Sequence, residues 1–462
     1  MEEYCTYFVN NHCLNCEDSH LLTKLIEKFD LEIIKFKQEY CYLPKIILNQ
    51  RQPVGFLAGF IAACRANCPL FLCNPDWGKQ EWQQVFDLVK PDIIWGIEES
   101  LIPHTQSPIP DAQCPIPDAQ YIMIPTGGSS GKIKFAVHTW DTLTASVRGF
   151  QEYFEVDKIN SFCVLPLYHV SGLMQFMRCF TTGGKLVILP FKEIELAQKD
   201  NIEKLINKNI NNFDFFISLV PTQLERLLQK SNLTQWLSKF QTVLLGGAPA
   251  WNELLHKARF HHIRLAPTYG MTETASQIAT MKPEDFLIGK IGCGKVLPHA
   301  KVEIYGEKGE NLQSDRVGSI NIKAESLALG YYPLNGETQT CLQIDDLAFL
   351  DKQGYLNIVG RNSDKIITGG ENVYPAEVEA AIRATGMVAD VCVIGVGDRH
   401  WGQVVTAIYI EKIDIYNREI KAVLKQRLSN YKIPKVWICV DSLPRNSQGK
   451  INRQKLYEIV DE

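Results

Sequence analysis

Small and hydroxyl-bearing residues between two apolar segments form the first group in this sequence that could do chemistry. Residues 121–124 and 135–138 have the apolar, β-prone composition of strands. Glycines between them let several backbone N–H groups converge on one point, while hydroxyls add donors and lysines add positive charge. Together these features are typical of a loop that binds phosphate. The residues of this predicted phosphate loop are Thr126, Gly127, Gly128, Ser129, Ser130, Gly131, Lys132 and Lys134.

Two common phosphate-binding motifs do not fit this loop. A Walker A motif has four residues between its glycines, whereas Gly127 and Gly131 enclose three. It also has Ser or Thr after its Lys, and here Ile133 follows Lys132. The dinucleotide fingerprint requires a helix directly after its glycines, but residues 133–138 predict a strand. A flexible hairpin turn stays open as the alternative interpretation.

A second group of polar residues lies at 267–274, with the sequence PTYGMTET. Tyr269 offers an aromatic face, and Thr272 offers a hydroxyl. Glu273 offers a carboxylate of the kind that can hold Mg²⁺. The alternative is a helix that begins here, with Thr272 as its N-cap. The spacing alone does not separate the two interpretations.

Length, charge and cysteine content limit the class of protein. A chain of 462 residues predicts two or three domains. The net charge of −4 argues against nucleic acid or a membrane surface as a partner. The 14 cysteines and the lack of a secretory leader predict reduced thiols and a cytoplasmic location. The apolar region 54–72 is interrupted by Arg65, Asn67 and Pro69, so no membrane insertion is expected.

Two local patterns have ordinary explanations. Cys13 and Cys16, with His12 and His20 nearby, have the spacing of half a zinc site. No second pair of ligands follows, so a surface turn is the favoured interpretation. The sequence PIPDAQ occurs twice between residues 108 and 120. Two proline-rich copies are too few for a repeat fold and predict an exposed, extended linker.

Strands and helices are predicted to alternate through the first 300 residues. This alternation predicts mainly parallel sheets covered by helices on both faces. Ligands of such sheets lie at the carboxyl ends of the strands, where the polar segment 166–172 and the pair Gly246-Gly247 fall. The predicted strands are 69–73, 93–95, 161–165, 186–189, 215–220 and 242–245, and the predicted helices are 21–29, 54–66, 140–150 and 221–229.

The character of the sequence changes after residue 300. Short strands at 302–305, 319–323, 347–350 and 355–359 predict a small β-rich subdomain. The polar segment 360–367 then predicts a domain boundary. The last hundred residues predict a small α+β domain, with helices 375–384 and 420–428 and strands 390–394 and 404–409. The predicted fold is therefore α/β, with a large N-terminal domain over 1–361 and a small C-terminal domain over 362–462.

Five motifs in a fixed order resemble those of AMP-forming acyl- and aryl-CoA synthetases, members of the adenylate-forming superfamily. One such motif is weak, whereas five in order are specific. The resemblance extends from residue 121 to residue 453. The matching segments are 126–134, 269–273 (YGMTE), Asp346 with Gly360-Arg361, 369–375 (GGENVYP) and 444–453 (PRNSQGKINR).

Within this superfamily, segments 168–173, 218–227 and 271–277 resemble ligases that activate 2-succinylbenzoate in menaquinone and phylloquinone biosynthesis. A ligase for another aryl or acyl acid is the first alternative. A non-catalytic ATP-binding protein is the second, and the retention of Lys450 with the phosphate loop and Glu273 argues against it. A kinase would need a Walker A or kinase glycine loop, and neither is present.

The resemblance implies two reaction steps that use ATP, Mg²⁺ and CoA. The phosphate loop would hold the pyrophosphate of ATP, and Tyr269 would lie near the adenine. Thr272 would touch the α-phosphate, Glu273 would hold Mg²⁺, and Lys450 would bridge the acid and the α-phosphate. Asp346, assisted by Arg361, would accept the ribose hydroxyls. The adjacent Asp345 is an alternative, and Asp346 is preferred because the following strand aligns from it.

The remaining roles implied by the resemblance concern the acid, CoA and the movement of the C-terminal domain. The acid pocket would be shaped by His169, Gln223, Arg226, Gly246 and Gly247. The small domain is expected to rotate about a hinge at Ser363 and Asp364, which brings Gly369 and Gly370 to the CoA thiol. The expected partners are a small acid, ATP and CoA, without nucleic acid, and a homo-oligomer is left open.

Overall fold

The computed structural model describes residues 2–10, 16–97, 120–127, 132–196, 212–334, 339–412, 417–445 and 451–461. Cys13, most of the duplicated PIPDAQ segment, loop residues 128–131 and Lys450 lie outside these ranges. The turn at Cys13, the extended linker and the tip of the phosphate loop therefore stay predictions.

The described residues form fourteen helices and four sheets. The helices are α1 (Glu2–Asn10), α2 (Cys16–Tyr40), α3 (Pro53–Arg65), α4 (Lys79–Val89), α5 (Trp140–Phe154), α6 (Val170–Thr182), α7 (Phe191–Leu196), α8 (Pro221–Leu228), α9 (Ser231–Leu237), α10 (Asn252–Phe260), α11 (Pro283–Leu287), α12 (Pro375–Arg383), α13 (Asn417–Leu424) and α14 (Arg453–Asp461).

The strands of the two large sheets begin with β1 (Ile46–Leu48), β2 (Leu70–Leu72), β3 (Ile93–Trp95), β4 (Ile122–Gly127), β5 (Ile133–His138), β6 (Asn160–Cys163), β7 (Leu186–Ile188), β8 (Phe215–Leu219), β9 (Thr242–Leu245), β10 (Leu265–Met271), β11 (Ser276–Thr280) and β12 (Lys295–Val296). The later strands are β13 (Ala300–Tyr305), β14 (Gly318–Ala324), β15 (Gly330–Tyr331), β16 (Leu342–Leu350), β17 (Leu356–Arg361), β18 (Ile366–Thr368), β19 (Glu371–Val373), β20 (Val388–Asp398), β21 (Gly402–Glu411) and β22 (Val436–Cys439).

Both large sheets are parallel over most of their width, as predicted. The first has the order β15-β5-β4-β2-β1-β3, and the second has the order β12-β11-β10-β9-β8-β6-β7. Each ends in antiparallel strands on one side, namely β5 and β15 in the first sheet and β11 and β12 in the second. Short connections join β4 to β5 and β10 to β11, and a short turn can join only antiparallel neighbours.

The two smaller sheets belong to the last third of the chain. The antiparallel sheet β13-β14-β16-β17 is the predicted β-rich subdomain, and β18 to β22 form the sheet of the predicted α+β domain. The connection between these two sheets is shorter than the predicted polar segment 360–367, because β17 continues to Arg361 and β18 begins at Ile366. The domain boundary between residues 361 and 362 stays a prediction.

One continuous core joins the two large sheets. Helix α3 is buried from Gly55 to Cys64, as expected of a helix that is apolar on all sides. It meets α6 through Phe60 and Phe176, whose ring centroids are 5.6 Å apart. Helix α5 reaches β8 through Phe150 and Phe216, at 5.1 Å. The helices between the sheets therefore set the position of one sheet relative to the other.

The polar segment predicted at 166–172 ends earlier than expected. Helix α6 begins at Val170, and His169 is the N-cap of this helix. Apolar positions at 170, 173, 174 and 177 have the spacing of one helix face, and those at 173, 174 and 177 are fully buried. Gly172 is required within this first turn, since a Cβ there would lie 2.1 Å from the carbonyl oxygen of Pro166.

We predict that Gly172→Ala destabilises the protein by about 1–3 kcal/mol, because the added methyl group collides with rigid backbone. The matched control is Gly397→Ala in β20, where no atom lies within 4 Å of the new Cβ. That change should alter stability by less than about 0.5 kcal/mol. Urea unfolding of both variants gives the comparison, and equal stabilities would contradict the close contact at Gly172.

Candidate functional site

The carboxyl ends of the parallel strands β8, β9 and β10 meet at one edge of the second sheet. Gly246 follows β9 and donates its N–H to the carbonyl of Leu219 in β8 at 3.2 Å. A Cβ on Gly246 would lie 3.6 Å from the carbonyl oxygen of Thr268 in β10. Gly247 has a φ of 81°, which favours glycine. The glycine pair thus adds no side chain of its own at these strand ends.

The other predicted acid-pocket residues lie within or directly before the helices that follow β6 and β8. His169 precedes α6 and packs against Tyr168, with ring centroids 4.5 Å apart. Gln223 Oε1 accepts the backbone N–H of Val220 at 3.1 Å and so caps α8. Arg226 is 57% exposed and lies 3.6 Å from the carboxylate of Glu195 in α7. The described contacts of Gln223 and Arg226 are therefore local, and their part in an acid pocket stays a prediction.

Tyr269, Asp346 and Arg361 are far apart in the sequence and meet in the structure. Tyr269 donates its hydroxyl to Asp346 Oδ2 at 2.5 Å, and Arg361 Nε donates to Oδ1 at 3.1 Å. The register of β16 and β17 places Asp346 opposite Arg361. Burial and the neighbouring Asp346 raise the pKa of Tyr269, so its phenol stays protonated. The carboxylate of Asp346 is thus held from two sides.

The neighbouring carboxylate of Asp345 has a different environment. Its Oδ2 accepts the N–H of Ser363 at 2.9 Å, and its carbonyl accepts the N–H of Asn362 at 2.8 Å. Side chains alternate along a strand, so Asp345 and Asp346 face opposite ways. Asp345 therefore holds the connection to the C-terminal domain, whereas Asp346 faces Tyr269.

Glu273 is joined to the phosphate loop by a residue that the sequence patterns did not single out. Tyr331 donates its hydroxyl to Glu273 Oε1 at 2.6 Å. The Nζ of Lys134 lies 5.2 Å from the centroid of the Tyr331 ring, a cation–π distance. Lys134 itself pairs with Thr126 across β4 and β5. Tyr331 thus contacts both Glu273 and Lys134, which lies on a strand of the phosphate loop.

Tyr331 was missed because no local spacing connects it with Glu273. It becomes a neighbour only when β15 pairs with β5, opposite Ala136. Lys132 and Lys134 are both exposed, as expected of cations available to a ligand. At the base of the loop, Gln84 from α4 accepts the N–H of Ile133 at 3.1 Å.

The segment at Thr272 is not a helix N-terminus, so that alternative is wrong. Strand β10 continues to Met271, and a single 3₁₀ turn, Thr272–Thr274, follows. The cap position is Met271, and the hydroxyl of Thr274 accepts its N–H at 3.0 Å. The side chain of Thr272 is therefore available for a role other than capping.

Residues at the start of the C-terminal domain lie in two turns. Asp364 forms an ion pair with Arg453 of α14 at 3.3 Å. Gly369 and Gly370 form the tight turn between β18 and β19, with φ of 59° and 83°, as a two-residue hairpin turn requires. Gly369 donates its N–H to the carbonyl of Trp401 at 2.9 Å.

Glu273 is suited to bind a Mg²⁺ ion whose other ligands come from a substrate. Within the described ranges, no group of three or more His, Cys, Asp or Glu side chains has the arrangement of a metal cage. Mg²⁺ is commonly bound by one or two carboxylates together with substrate phosphates and water. A single carboxylate beside a phosphate loop satisfies that pattern.

Family comparison identifies what these motifs have in common. The sequence model of the AMP-binding enzymes matches residues 51–332, and that of their C-terminal domain matches residues 377–450. The chain belongs to the AMP-binding enzyme family. The resemblance to AMP-forming synthetases that five motifs indicated is thereby confirmed.

Relatives of this AMP-binding enzyme include 2-succinylbenzoate–CoA ligases. That of Bacillus anthracis is 32% identical over 347 residues, which cover 74% of this chain and 70% of the relative. That of Listeria monocytogenes is 35% identical over 343 residues, which cover 72% and 68%. These matches place this AMP-binding enzyme among the ligases.

Solved structures of one Bacillus subtilis protein have the same fold. O-succinylbenzoate coenzyme A synthetase (MenE) in complex with ATP and magnesium matches with a TM-score of 0.73 and 26% identity, covering 89% of this chain and 88% of that one. The same protein in complex with the acyl-adenylate intermediate OSB-AMP has a TM-score of 0.77 and 24% identity, with coverage of 95% and 92%. The predicted α/β fold class is confirmed.

Two histidines of this AMP-binding enzyme are buried without charge. His138 ends β5 and is 0% exposed, and His299 precedes β13 and is 8% exposed. Burial lowers the pKa of each to about 4. Both side chains are therefore neutral at neutral pH in the folded protein.

We predict that the free energy of unfolding falls as the pH is lowered from 7 to 5. The folded-state pKa of each histidine lies below its ordinary value of about 6.5, so the unfolded chain binds the proton first. Stability is complete above pH 6.5 and is lost as the pH falls toward 4, by about 2 kcal/mol per histidine between pH 7 and pH 5.

Urea unfolding at both pH values tests this, with His299→Gln as the comparison. The variant should lose about 2 kcal/mol less than the wild type over this pH range. Equal losses would show that His299 is not held neutral in the folded protein.

Proposed function

We propose that this AMP-binding enzyme converts 2-succinylbenzoate to its CoA thioester in menaquinone or phylloquinone biosynthesis. Two hydrogen-bonded carboxylates carry the proposal that the enzyme uses ATP. Asp346 is held by Tyr269 and Arg361, and Glu273 is held by Tyr331. The names of the relatives support the choice of acid. MenE, which binds OSB-AMP, supports an adenylate intermediate.

In the first step, a substrate carboxylate attacks the α-phosphorus of ATP and pyrophosphate leaves. The protein contributes positioning and charge stabilisation, because the phosphoanhydride supplies the activation. Asp346 accepts the ribose hydroxyls, and Arg361 orients it. Backbone N–H groups and lysines of the phosphate loop hold the leaving pyrophosphate, and the Thr272 hydroxyl touches the α-phosphate. Glu273 would hold Mg²⁺, which offsets phosphate charge when bound.

In the second step, the CoA thiol attacks the acyl carbonyl and AMP leaves. The small domain rotates between the two steps so that Gly369 and Gly370 replace Lys450 at the site. The hinge lies between Ser363 and Asp364. Ser363 is hydrogen-bonded to Asp345 of the large domain, whereas Asp364 is paired with Arg453 of the small one. A rotation at this peptide keeps both contacts.

We propose a cytoplasmic location on the basis of the thiols. The cysteines whose side chains the structure describes form no disulfide with one another, as expected in a reducing compartment, and this supports a cytoplasmic enzyme. None of the helices in the described part of the chain has the length and apolar character needed to cross a bilayer.

The test of this function is a panel of acids offered with ATP, Mg²⁺ and CoA. We expect acid-dependent pyrophosphate release with 2-succinylbenzoate at a kcat/KM at least ~100-fold above that with benzoate, acetate or a fatty acid. Comparable turnover of another acid would replace the substrate and keep the reaction. No release with any acid would contradict the enzymatic proposal.

We predict that Asp346→Asn lowers kcat/KM for ATP by ~30-fold or more. Loss of a carboxylate that accepts two ribose hydroxyls costs roughly 2–5 kcal/mol in a desolvated site. Asp345→Asn is the control, since Asp345 holds the amide of Ser363 and should have a mild effect on pyrophosphate release. The reverse order would show that Asp345 binds the ribose.

We predict that Lys450→Ala loses adenylate formation and keeps thioester formation. Arg445 and Ile451, which flank the segment of Lys450, pair in an antiparallel bridge. An ammonium group there helps while charge builds between a carboxylate and a phosphate, and it has no such task when a thiol attacks the adenylate. Loss of one preorganised charge typically costs on the order of 10²–10³ in rate.

The two half-reactions are measured as pyrophosphate release and as conversion of supplied acyl adenylate plus CoA. Lys455→Ala is the matched control, because Lys455 is an exposed lysine on the adjoining helix α14. Equal losses in both half-reactions by folded Lys450→Ala would assign that segment a structural role.

A further inference from the structure

The turn that carries Thr272 and Glu273 reverses the chain between β10 and β11. Ala275 and Ser276 have φ of 50° and 84°, so two consecutive residues with side chains adopt the left-handed conformation. Such residues cost free energy and persist only where the surroundings hold them. Gly270 lies tightly against the returning chain, since a Cβ there would be 2.0 Å from the carbonyl oxygen of Ser276.

Four successive carbonyl groups of this turn each accept a hydrogen bond from another part of the protein. Three of the donors are buried side chains, at 0%, 1% and 0% exposure for residues 138, 146 and 326. They come from β5, from α5 and from the segment that precedes β15. The bonds are His138 Nε2 to Thr272 O at 2.8 Å, Ala328 N–H to Glu273 O at 2.8 Å, Ser326 Oγ to Thr274 O at 2.9 Å and Ser146 Oγ to Ala275 O at 2.7 Å.

The hydrogen bonds of His138 define which ring nitrogen carries the proton. A carbonyl oxygen can only accept, so Nε2 donates to Thr272. The unprotonated Nδ1 then accepts the hydroxyl of Thr142, at 3.0 Å. Burial keeps this ring neutral, with a pKa of about 4. Because His138 ends the strand that leaves the phosphate loop, this bond joins the loop strand to the turn that carries Glu273.

We propose that His138, Ser146 and Ser326 are positioning residues for the activation of ATP. They fix the backbone of the turn from three sides, so that the Thr272 hydroxyl and the Glu273 carboxylate meet the nucleotide in one arrangement. A displacement of about 1 Å in such a group can cost ~100-fold in rate. The proposal rests on the proposed adenylation reaction. It adds three buried residues that act through the backbone of the turn rather than by contact with a substrate.

The first test compares His138→Leu with His138→Gln. Leucine removes the donor to Thr272, whereas the glutamine amide can place an N–H near the position of Nε2. We expect the kcat of pyrophosphate release to fall ~10- to 100-fold in His138→Leu and to stay within ~3-fold in His138→Gln. The KM for the acid and the conversion of supplied adenylate with CoA should change little in either variant.

A second readout needs no substrate. Ala275 donates its N–H to the carbonyl of Thr272 at 3.1 Å, within the turn itself. If His138 holds this turn, hydrogen exchange at the Ala275 amide should be faster in His138→Leu than in the wild type or in His138→Gln. Ser146→Ala and Ser326→Ala should show the same local acceleration and a smaller loss of rate.

The matched control is Thr234→Val on α9, which removes a different buried hydroxyl. Thr234 Oγ1 donates to the carbonyl of Lys230 at 3.0 Å, in a core away from the turn. It should lower stability without changing pyrophosphate release or exchange at Ala275. If His138→Leu behaves like Thr234→Val, the positioning role is wrong.

Two outcomes separate this inference from the proposed function. If His138→Leu does not fold, unchanged rate and exchange in Ser146→Ala and Ser326→Ala overturn the positioning role. If the wild type activates none of the acids, the proposed function fails, and exchange at Ala275 in the variants still supports or overturns the positioning of the turn.

Discussion

The position of the two large sheets relative to each other is the constraint on which the candidate site depends. The phosphate loop connects two strands of the first sheet, whereas Tyr269 and Glu273 lie at the end of a strand of the second sheet. One core contains buried residues of α3, α5 and α6 together with residues of strands in both sheets, so neither sheet can shift without disrupting contacts in that core. The bond between His138 and Thr272 then crosses from one sheet to the other at the site.

Neutral phenols hold two of the carboxylates that the proposed reaction uses. Tyr269 donates to Asp346, and Tyr331 donates to Glu273. A neutral donor orients a carboxylate without cancelling its charge, which leaves the charge of Glu273 available to a cation, whereas Asp346 also forms an ion pair with Arg361. Burial raises the pKa of both phenols, so each stays a donor at neutral pH. This arrangement suits a site that must receive a highly charged nucleotide.

The connection to the C-terminal domain is also explained by neighbouring contacts. Asp345 and Asp346 are adjacent on β16, yet Asp345 holds the segment that leads to the C-terminal domain and Asp346 faces Tyr269. The proposed movement of the small domain would therefore occur next to Asp346, the carboxylate that we propose binds the ribose. The alternation of side chains along one strand is the physical reason that two adjacent residues have these different contacts.

Local patterns determined much of this protein from its sequence. The apolar run of α3, the strands around the phosphate loop and the alternation of strands and helices follow from periodicity and chain stiffness, which are properties of short segments. The motifs that define the family are likewise contiguous. For the same reason, the sequence pointed to Tyr269, Glu273 and Asp346 as chemical groups without showing which of them touch.

Tertiary structure decided the rest. The start of α6 at Val170 depends on burial against the core, and the antiparallel edge of the second sheet begins at a turn whose carbonyls are held by distant donors. Tyr331, His138, Ser146 and Ser326 have ordinary sequence surroundings and acquire their contacts only when strands from different parts of the chain pair and pack. Such contacts leave no local periodicity, because the free energy that selects them comes from groups more than fifty residues away.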